Sequence, residues 1–172
     1  MNRIISCLFV LISFGCTEND APKEILEYDG PLQEAENIVM YYSETADMKV
    51  KLEAAKLLEF ENGDRDFPEG IYMEFFDETG AISSTLKADQ AFYWKETDLW
   101  RGRGNVIVKS YTDDEQLDTE ELFWDPGIQE IYTDKVVIMT QGPDIMRGKG
   151  MRAAQDFSWY GWKDPNGVIS IE

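Results

Sequence analysis

The segment LWRGRGNVIVKSY, residues 99–111, places two arginine–glycine pairs directly before an alternating apolar run. Val106 and Val108 recur with the two-residue period of a β-strand. Glycines before such a run favour a bend or a β-bulge, because glycine accepts backbone conformations that other residues avoid. The segment therefore predicts a long strand that bends at Gly102 and Gly104 and keeps its arginines on the outside.

Composition excludes two other interpretations of the RGRG motif, a nucleic-acid-binding arm and a phosphate-binding loop. The 172 residues include 34 acidic and 16 basic side chains, which gives a net charge of −18. Such a chain repels nucleic acid, because phosphate binding needs several clustered cations. A phosphate loop needs the N-terminus of a helix, and neither a helical pattern nor a Lys-Ser/Thr pair follows these glycines.

The chain contains no histidine, whereas apolar residues make up 43% of it. The apolar content is sufficient for the core of one domain. The missing imidazole removes the Ser-His-Asp and Cys-His catalytic arrangements and the histidine zinc sites. We therefore expect a protein that is not an enzyme, with no catalytic residues, no metal site and no cofactor.

Residues 1–16, MNRIISCLFVLISFGC, have the pattern of a secretory leader, with one cation followed by an apolar run. The run from Ile4 to Phe14 falls short of the roughly 20 residues that a membrane-spanning helix needs. The ending SFGC resembles the lipobox of bacterial lipoproteins, in which the cysteine is diacylated and becomes the new N-terminus. We therefore predict a signal peptide over residues 1–15 and a lipid anchor on Cys16, where two acyl chains give stable attachment.

Residues 16–36 are acidic and contain Pro22 and the pair Gly30-Pro31, which predicts a lipidated tether. From residue 37 to residue 172, short apolar runs alternate with turn signals. Such regular spacing predicts an all-β domain over 37–172. The predicted turns lie at 61–64 (ENGD), 77–80, 95–98, 112–115, 125–127, 141–144 and 164–167 (DPNG).

The domain contains about four copies of one repeated unit. KVKLEAAKLLEFE, residues 49–61, has the composition of a helix, but its Leu-x-Ala-x-x-Leu pattern recurs in the chain, so we predict a strand there. The copies are stacked hairpins, each with a short apolar strand, an aromatic strand and a longer apolar strand. They begin at Leu52, Leu86, Leu117 and Met151, at spacings of 34, 31 and 34 residues.

The repeats resemble those of a known family. LDTEELFWD at 117–125 and IYTDKVVIMTQGPDIMRGKGMRAAQDFSWYGW at 131–162 are similar to the LptC family, the lipopolysaccharide-export component built from OstA-like repeats. ADQAFYW at 88–94 and GNVIV at 104–108 match the repeat in the same way. The resemblance covers about residues 37–172 and implies a twisted, V-shaped antiparallel β-jelly roll.

The resemblance also implies a function. Members of this family accept lipopolysaccharide from an inner-membrane ABC transporter and pass it to a periplasmic bridge protein similar to LptA. This chain is then expected on the periplasmic face of the inner membrane, held by the lipid on Cys16 where many members use an N-terminal helix. A lipid carrier needs a long apolar trough, and the candidate lining residues are Ile71, Met73, Phe75, Phe92, Trp94, Val106, Val108, Val137 and Met139.

Both ends of the domain are expected to bind partners. An uncovered terminal strand offers free N–H and C=O groups on which another strand can pair. In this family the N-terminal edge meets the transporter and the C-terminal edge meets the bridge protein. The candidate edge residues are Asn37, Val39 and Tyr41 at one end and Val168, Ile169, Ser170 and Ile171 at the other.

Three alternatives remain open at this point. A glycan-active enzyme needs facing carboxylates, and Glu120, Glu121 and Asp125 are the candidates, although neighbours on a strand point to opposite faces. Calcium binding at TDDEQ, residues 112–116, lacks the spaced ligands of a dedicated loop. A structural adaptor without a ligand is the third alternative, and lipid binding separates it from a carrier.

Overall fold

The computed structural model describes residues 28–44, 47–112, 114–155 and 157–168. Within these ranges the chain forms β-strands and no helix, which confirms the predicted all-β class. The strands are β1 (Gln33–Glu44), β2 (Asp47–Glu59), β3 (Arg65–Phe67), β4 (Ile71–Phe76), β5 (Ile82–Ala88), β6 (Gln90–Trp94), β7 (Leu99–Ser110), β8 (Glu115–Asp125), β9 (Glu130–Gln141), β10 (Asp144–Ala154) and β11 (Tyr160–Val168).

The strands form one antiparallel meander, in which consecutive strands pair except β3 with β4 and β5 with β6. β3 and β4 are two halves of one interrupted strand, because both pair with β2, at its end and near its start respectively. β5 and β6 are related in the same way through β7. The two interrupted strands also pair with each other, β4 with β5 and β3 with β6. β1 and β11 lie at the two ends of the described sheet.

The sheet folds back on itself. Phe75 is in register with Ser84 and, through it, with Ser110 of β7. Trp124 is in register with Trp100 of the same strand. These positions on β7 are 110 − 100 = 10 residues apart, which corresponds to about 33 Å of extended strand. The ring centroids of Phe75 and Trp124 nevertheless lie only 5.2 Å apart, so the two halves of the sheet face each other as layers.

We name each layer after a strand that it contains completely. The β6 layer contains β3 and β6, and the β5 layer contains β4 and β5. The long strands β2, β7, β8, β9 and β10 run through both layers and bend between them. Their inner faces form the hydrophobic core, in which the largest fully buried side chains are Phe67, Val106, Leu117, Val137 and Met139. This arrangement is a β-jelly roll, as the family resemblance implies.

The corner between the layers is built by bulges and left-handed residues. In β7 the register shifts around Gly104 and Asn105, whose φ angles are 75° and 44°. In β10 the register shifts at Gly150, with φ of 74°. The N–H of Asp89, between β5 and β6, donates to the carbonyl of Gly104 at 2.9 Å. Bulges bend strands where they pass from one packed sheet to another, and the bend predicted at the glycines of β7 is confirmed.

The corner explains the spacing of the sequence repeat. Strict alternation places residues i, i+2 and i+4 on one face of a strand. The repeat instead has the spacing i, i+2, i+5, because one additional residue sits at the corner and reverses the alternation. The first three copies all follow this rule, and their repeat residues are buried or packed against the core: Leu52, Ala54 and Leu57; Leu86, Ala88 and Ala91; Leu117, Thr119 and Leu122.

Two local predictions meet different outcomes. The segment 49–61 lies largely within β2, so its assignment as a strand is confirmed. The turn predicted at DPNG, residues 164–167, is wrong, because β11 continues through it and Pro165 pairs with Gly148. Proline has no N–H to donate, but an edge strand needs donors on one side only, so β11 tolerates it.

The sheet begins earlier than the predicted tether boundary. β1 starts at Gln33, which pairs with Glu59, and the N–H of Leu32 donates to the carbonyl of Glu59 at 2.7 Å. The signal peptide, Cys16 and most of the tether lie outside the described residues. The C-terminal edge candidates Ile169, Ser170 and Ile171 also lie outside them.

Candidate functional site

The inner face of the β5 layer carries a continuous apolar row, which we call the middle row. The row contains one side chain from each of eight strands. Because these residues are in register, the row crosses the strands at right angles. Burying such side chains contributes about 1.5–3 kcal/mol each. The middle row consists of Met40, Leu52, Met73, Leu86, Val108, Leu117, Met139 and Met146.

The predicted trough residues fall mostly on this inner face. Met73, Val108 and Met139 belong to the middle row, and Ile71, Val106 and Val137 lie between the middle row and the corner. Phe75 lies on the opposite side of the middle row and packs against the core. The structure therefore brings seven of the nine predicted side chains to one face.

Phe92 and Trp94 lie on the outer face of the β6 layer, away from the other seven. Their rings are 4.8 Å apart, and the guanidinium of Arg101 lies 5.3 Å from the Trp94 ring centroid. Alternation continued from Ala88 along the same chain would turn both aromatics inward. The additional residue at the corner reverses the alternation, so their neighbours Ala91 and Tyr93 point inward instead.

The edge of the β5 layer farthest from the corner has a polar inner row, which we call the lip row. The row starts beside Phe75 and continues from strand to strand through residues that are in register. These residues are Ser84, Ser110, Glu115, Gln141 and Asp144. Ser84, Ser110 and Glu115 are no more than 5% exposed. The face therefore changes from apolar to polar between the middle row and the lip row.

The β6 layer presents a different inner row, which we call the aromatic row. It runs in register through Arg65, Tyr93, Trp100, Trp124, Ile131, Ala153 and Tyr160. Tyr93 and Trp100 are in ring contact at 4.7 Å, and Trp100 and Trp124 at 6.0 Å. The sequence analysis predicted neither this row nor the lip row. The i, i+2, i+5 spacing of the repeat marks the residue at which the alternation reverses, and inward-facing positions on both sides can be counted from it.

The two layers meet where Phe75, which lies beside Ser84 of the lip row, reaches the aromatic row. Phe75 contacts Trp124 edge to face, with an interplanar angle of 90°. The pKa of Tyr160 is raised, mainly because burial disfavours the phenolate and further because the Glu115 carboxylate repels a second negative charge. The Phe75–Trp124 contact closes the side of the fold opposite the corner.

A surface cavity of about 770 Å³ is lined by residues of β1, β2, β4 and β5, among them the buried core side chains Ala54, Ile71 and Ala88. It sits beside β1, where Asn37, Ile38 and Val39 form one wall, and Ile71 is the one trough candidate that lines it. Core side chains fill the space between the layers, and Val106, Val137 and Met139 are fully buried there. The described conformation is therefore closed.

Two of the three carboxylates considered for catalysis have local structural partners. Glu120 is exposed, whereas Glu121 is 3.8 Å from the Lys135 ammonium. Asp125 accepts a hydrogen bond from the N–H of Gly127 at 3.0 Å and so stabilises its own turn. Their positions on the outer surface and at a turn do not form the facing pair that glycosidic hydrolysis requires.

The N-terminal edge strand is β1, which in the described part of the chain pairs with β2 alone. Asn37 has a φ of 51° and lies at the corner. Val39 and Tyr41 point outward, with 50% and 63% of their surface exposed. At the other end, Val168 is the last described residue of β11 and pairs with Ile145.

Comparison with known protein families identifies the chain. The family described as "Lipopolysaccharide-assembly, LptC-related" matches residues 3–157. A comparison with curated proteins finds no match. The described residues contain no helix long and apolar enough to cross a membrane. LptC proteins take part in lipopolysaccharide export in the periplasmic part of the envelope, and they are transport components and not an enzyme family. Because the match covers most of the sequence, this chain is a member of the LptC family.

Proposed function

We propose that this protein is a membrane-anchored periplasmic carrier of lipopolysaccharide. It accepts the lipid from the inner-membrane ABC transporter and holds its acyl chains between the two layers. It then passes them to the LptA-like bridge protein. The observation that supports this role is the middle row, in which eight apolar side chains cross the sheet without interruption. Each acyl CH₂ shielded by such a surface contributes about 0.8 kcal/mol.

Loading requires the two layers to separate. The described interior is filled by side chains, and the Phe75–Trp124 contact closes the side opposite the corner. Acyl chains that enter there can replace the apolar contacts between the two layers with apolar contacts between the acyl chains and each layer. The corner at Gly104 and Asn105 provides the bend about which the layers can open.

Photo-crosslinking tests the carrier. Crosslinkers at Phe75, Val106 and Met139, which face inward, are expected to trap lipopolysaccharide. The matched control positions are Glu74 and Lys109, which lie on the opposite parity of β4 and β7. Equal labelling of the two sets would contradict the assignment of the trough.

The two edges of the sheet are the proposed partner sites. The outer side of β1, around Asn37 to Tyr42, is proposed to pair with the transporter subunits, and the C-terminal residues 168–171 are proposed to pair with the bridge protein. Removing residues 168–172 is expected to abolish binding of the bridge protein while folding and transporter binding remain, as seen by co-purification from membranes. A folded truncation that still binds the bridge protein normally would exclude this exit.

The filled interior favours a second candidate, an envelope adaptor without a ligand. A structural adaptor needs the two edges but no space between the layers. Titration of the purified protein with fluorescent lipopolysaccharide separates the two functions. Saturable binding supports the carrier, whereas partner binding without lipid binding supports the adaptor.

A further inference from the structure

The two lips of the trough differ in chemistry. On the β5 layer, the lip row presents two serine hydroxyls, two carboxylates and one amide, at Ser84, Ser110, Glu115, Asp144 and Gln141. On the β6 layer, the facing row is aromatic and aliphatic between Tyr93 and Tyr160. Only the deeper middle row is apolar on every strand. A molecule that fits this surface has an apolar part for the depth of the trough and a polar part for one lip.

Three side chains of the lip row are withdrawn from bulk water, whereas Asp144 is partly buried and Gln141 is exposed. Ser84 and Ser110 are 3% and 5% exposed, and Glu115 is 5% exposed. One carboxylate oxygen of Asp144, Oδ1, is buried without a hydrogen-bond partner among the described residues. A buried acceptor without a donor costs free energy, so a ligand that brings a donor to this position gains more than it would at an exposed site.

The negative charge of the lip row determines which polar groups of a ligand can bind there. Glu115 and Asp144 are carboxylates, which accept hydrogen bonds from hydroxyl and amide groups but repel phosphate. In the described parts of the lip row and the aromatic row, Arg65 is the only cation. Its guanidinium Nε lies 3.0 Å from the Glu59 carboxylate, which already balances its charge. The lip row therefore offers acceptors and hydroxyls, and none of its own five side chains is a cation.

We infer that Ser84, Ser110, Glu115 and Asp144 form a recognition lip for the uncharged, donor-rich part of a glycolipid, the hydroxyl and amide groups where acyl chains join an amino sugar. This inference rests on the proposed carrier function and adds a specificity to it. The acyl chains lie along the middle row, and the sugar hydroxyls and amide N–H groups donate to the lip. Phosphate groups on the same sugar are held away from Glu115 and Asp144, so a glycolipid with fewer phosphates binds more tightly.

Binding of three probes by the purified protein tests this specificity. The probes are an acylated glucosamine disaccharide without phosphate, its bisphosphorylated form, and palmitate, which has the apolar part alone. We expect the unphosphorylated disaccharide to bind more tightly than the bisphosphorylated form. Ser110→Ala and Ser84→Ala should each weaken disaccharide binding about three- to tenfold, the loss expected for one hydrogen bond, and leave palmitate binding unchanged.

Charge removal gives the complementary test. Glu115→Gln keeps a hydrogen-bonding side chain and removes the negative charge, so the affinity for the bisphosphorylated disaccharide should rise severalfold. Ser83→Ala and Glu120→Gln are the matched controls, because Ser83 has the opposite parity on β5 and Glu120 is exposed on β8. Unchanged palmitate binding shows that each variant is folded.

The outcomes distinguish this inference from the carrier function. Equal affinity of the wild-type protein for the two disaccharides would overturn the recognition lip, and so would serine variants that bind them like the wild type. In either case, palmitate and disaccharide binding would still support the trough. Failure of the folded wild-type protein to bind any of the three probes would overturn the carrier function and the recognition lip together.

Discussion

Phe75 and Trp124 come from opposite layers and meet edge to face, with their ring centroids 5.2 Å apart. Trp124 is almost fully buried and Phe75 is partly buried against the core. The Nε1–H of Trp124 donates to the Gln155 side-chain oxygen at 3.0 Å. The tryptophan is thus held in place by its own layer and forms a fixed surface on which the phenylalanine closes.

A double-mutant cycle measures this contact. Trp124→Ala is expected to lower the free energy of unfolding by about 3 kcal/mol, because a large buried side chain is lost. The coupling between Phe75→Ala and Trp124→Ala should be about 0.5–1.5 kcal/mol, as for other aromatic pairs. Urea denaturation of the four proteins gives the value. The control cycle pairs Phe75 with Phe123, which stacks on Tyr132 on the outer face, and a coupling of equal size there would contradict a specific contact between the layers.

The corner makes a prediction for Gly104. A Cβ at this position would lie 3.1 Å from Asp89 Cβ, and the backbone has a φ of 75°. Gly104→Ala should therefore destabilise the protein by about 1–2 kcal/mol, the cost of a left-handed conformation for a non-glycine residue. Gly161→Ala is the control, since a Cβ there meets nothing within 4 Å and needs no positive φ. Thermal unfolding that shows the same loss for both variants would indicate that the corner imposes no special constraint.

Asp77 gives the turn between β4 and β5 a pH dependence. Its Oδ1 accepts hydrogen bonds from the Thr79 hydroxyl and the N–H groups of Thr79 and Ala81. These bonds, led by the Thr79 hydroxyl, lower the pKa of Asp77 below 3.8. A lowered pKa in the folded state adds stability above pH 3.8 that is lost as the pH falls through the folded value.

Asp77→Asn should therefore melt at a lower temperature than the wild type at pH 7, and the difference should shrink as the pH falls through the lowered pKa of Asp77. Thermal scans across this range measure the effect. Glu78→Gln removes the same charge from the next position and is the control. A melting difference for Asp77→Asn that stays constant down to pH 2 would show that the charge of Asp77 does not contribute.

Lipid attachment at Cys16 is a separate prediction, because this residue lies outside the described ranges. Cys16→Ala should block acylation and release the protein from the membrane, since two acyl chains are needed for stable anchoring. Mass spectrometry of the wild-type protein from membranes should show the mass of the acyl chains on the N-terminal peptide. A wild-type peptide without this addition would exclude a lipoprotein.

The sequence by itself determined the fold class and the family. Alternating apolar runs and regular turns specify strands, because side chains alternate between the faces of a strand whatever surrounds it. Residues 49–61 have the composition of a helix, but the repeat that begins at Leu52, Leu86 and Leu117 predicts a strand there. The structure has a strand at this position. Such patterns depend only on residues that are close in sequence, so they can be recognised without information about distant contacts.

The tertiary structure alone decided which face each side chain joins beyond the corner. Alternation can be followed along a strand only until a bulge adds a residue, after which every side chain changes sides. For this reason Phe92 and Trp94 lie outside while Ala91 and Tyr93 lie inside, and DPNG is part of an edge strand instead of a turn. The closing contact between Phe75 and Trp124 joins positions 49 residues apart in the chain (124 − 75 = 49). It exists only because the folded sheet brings its two layers together, which no local pattern encodes.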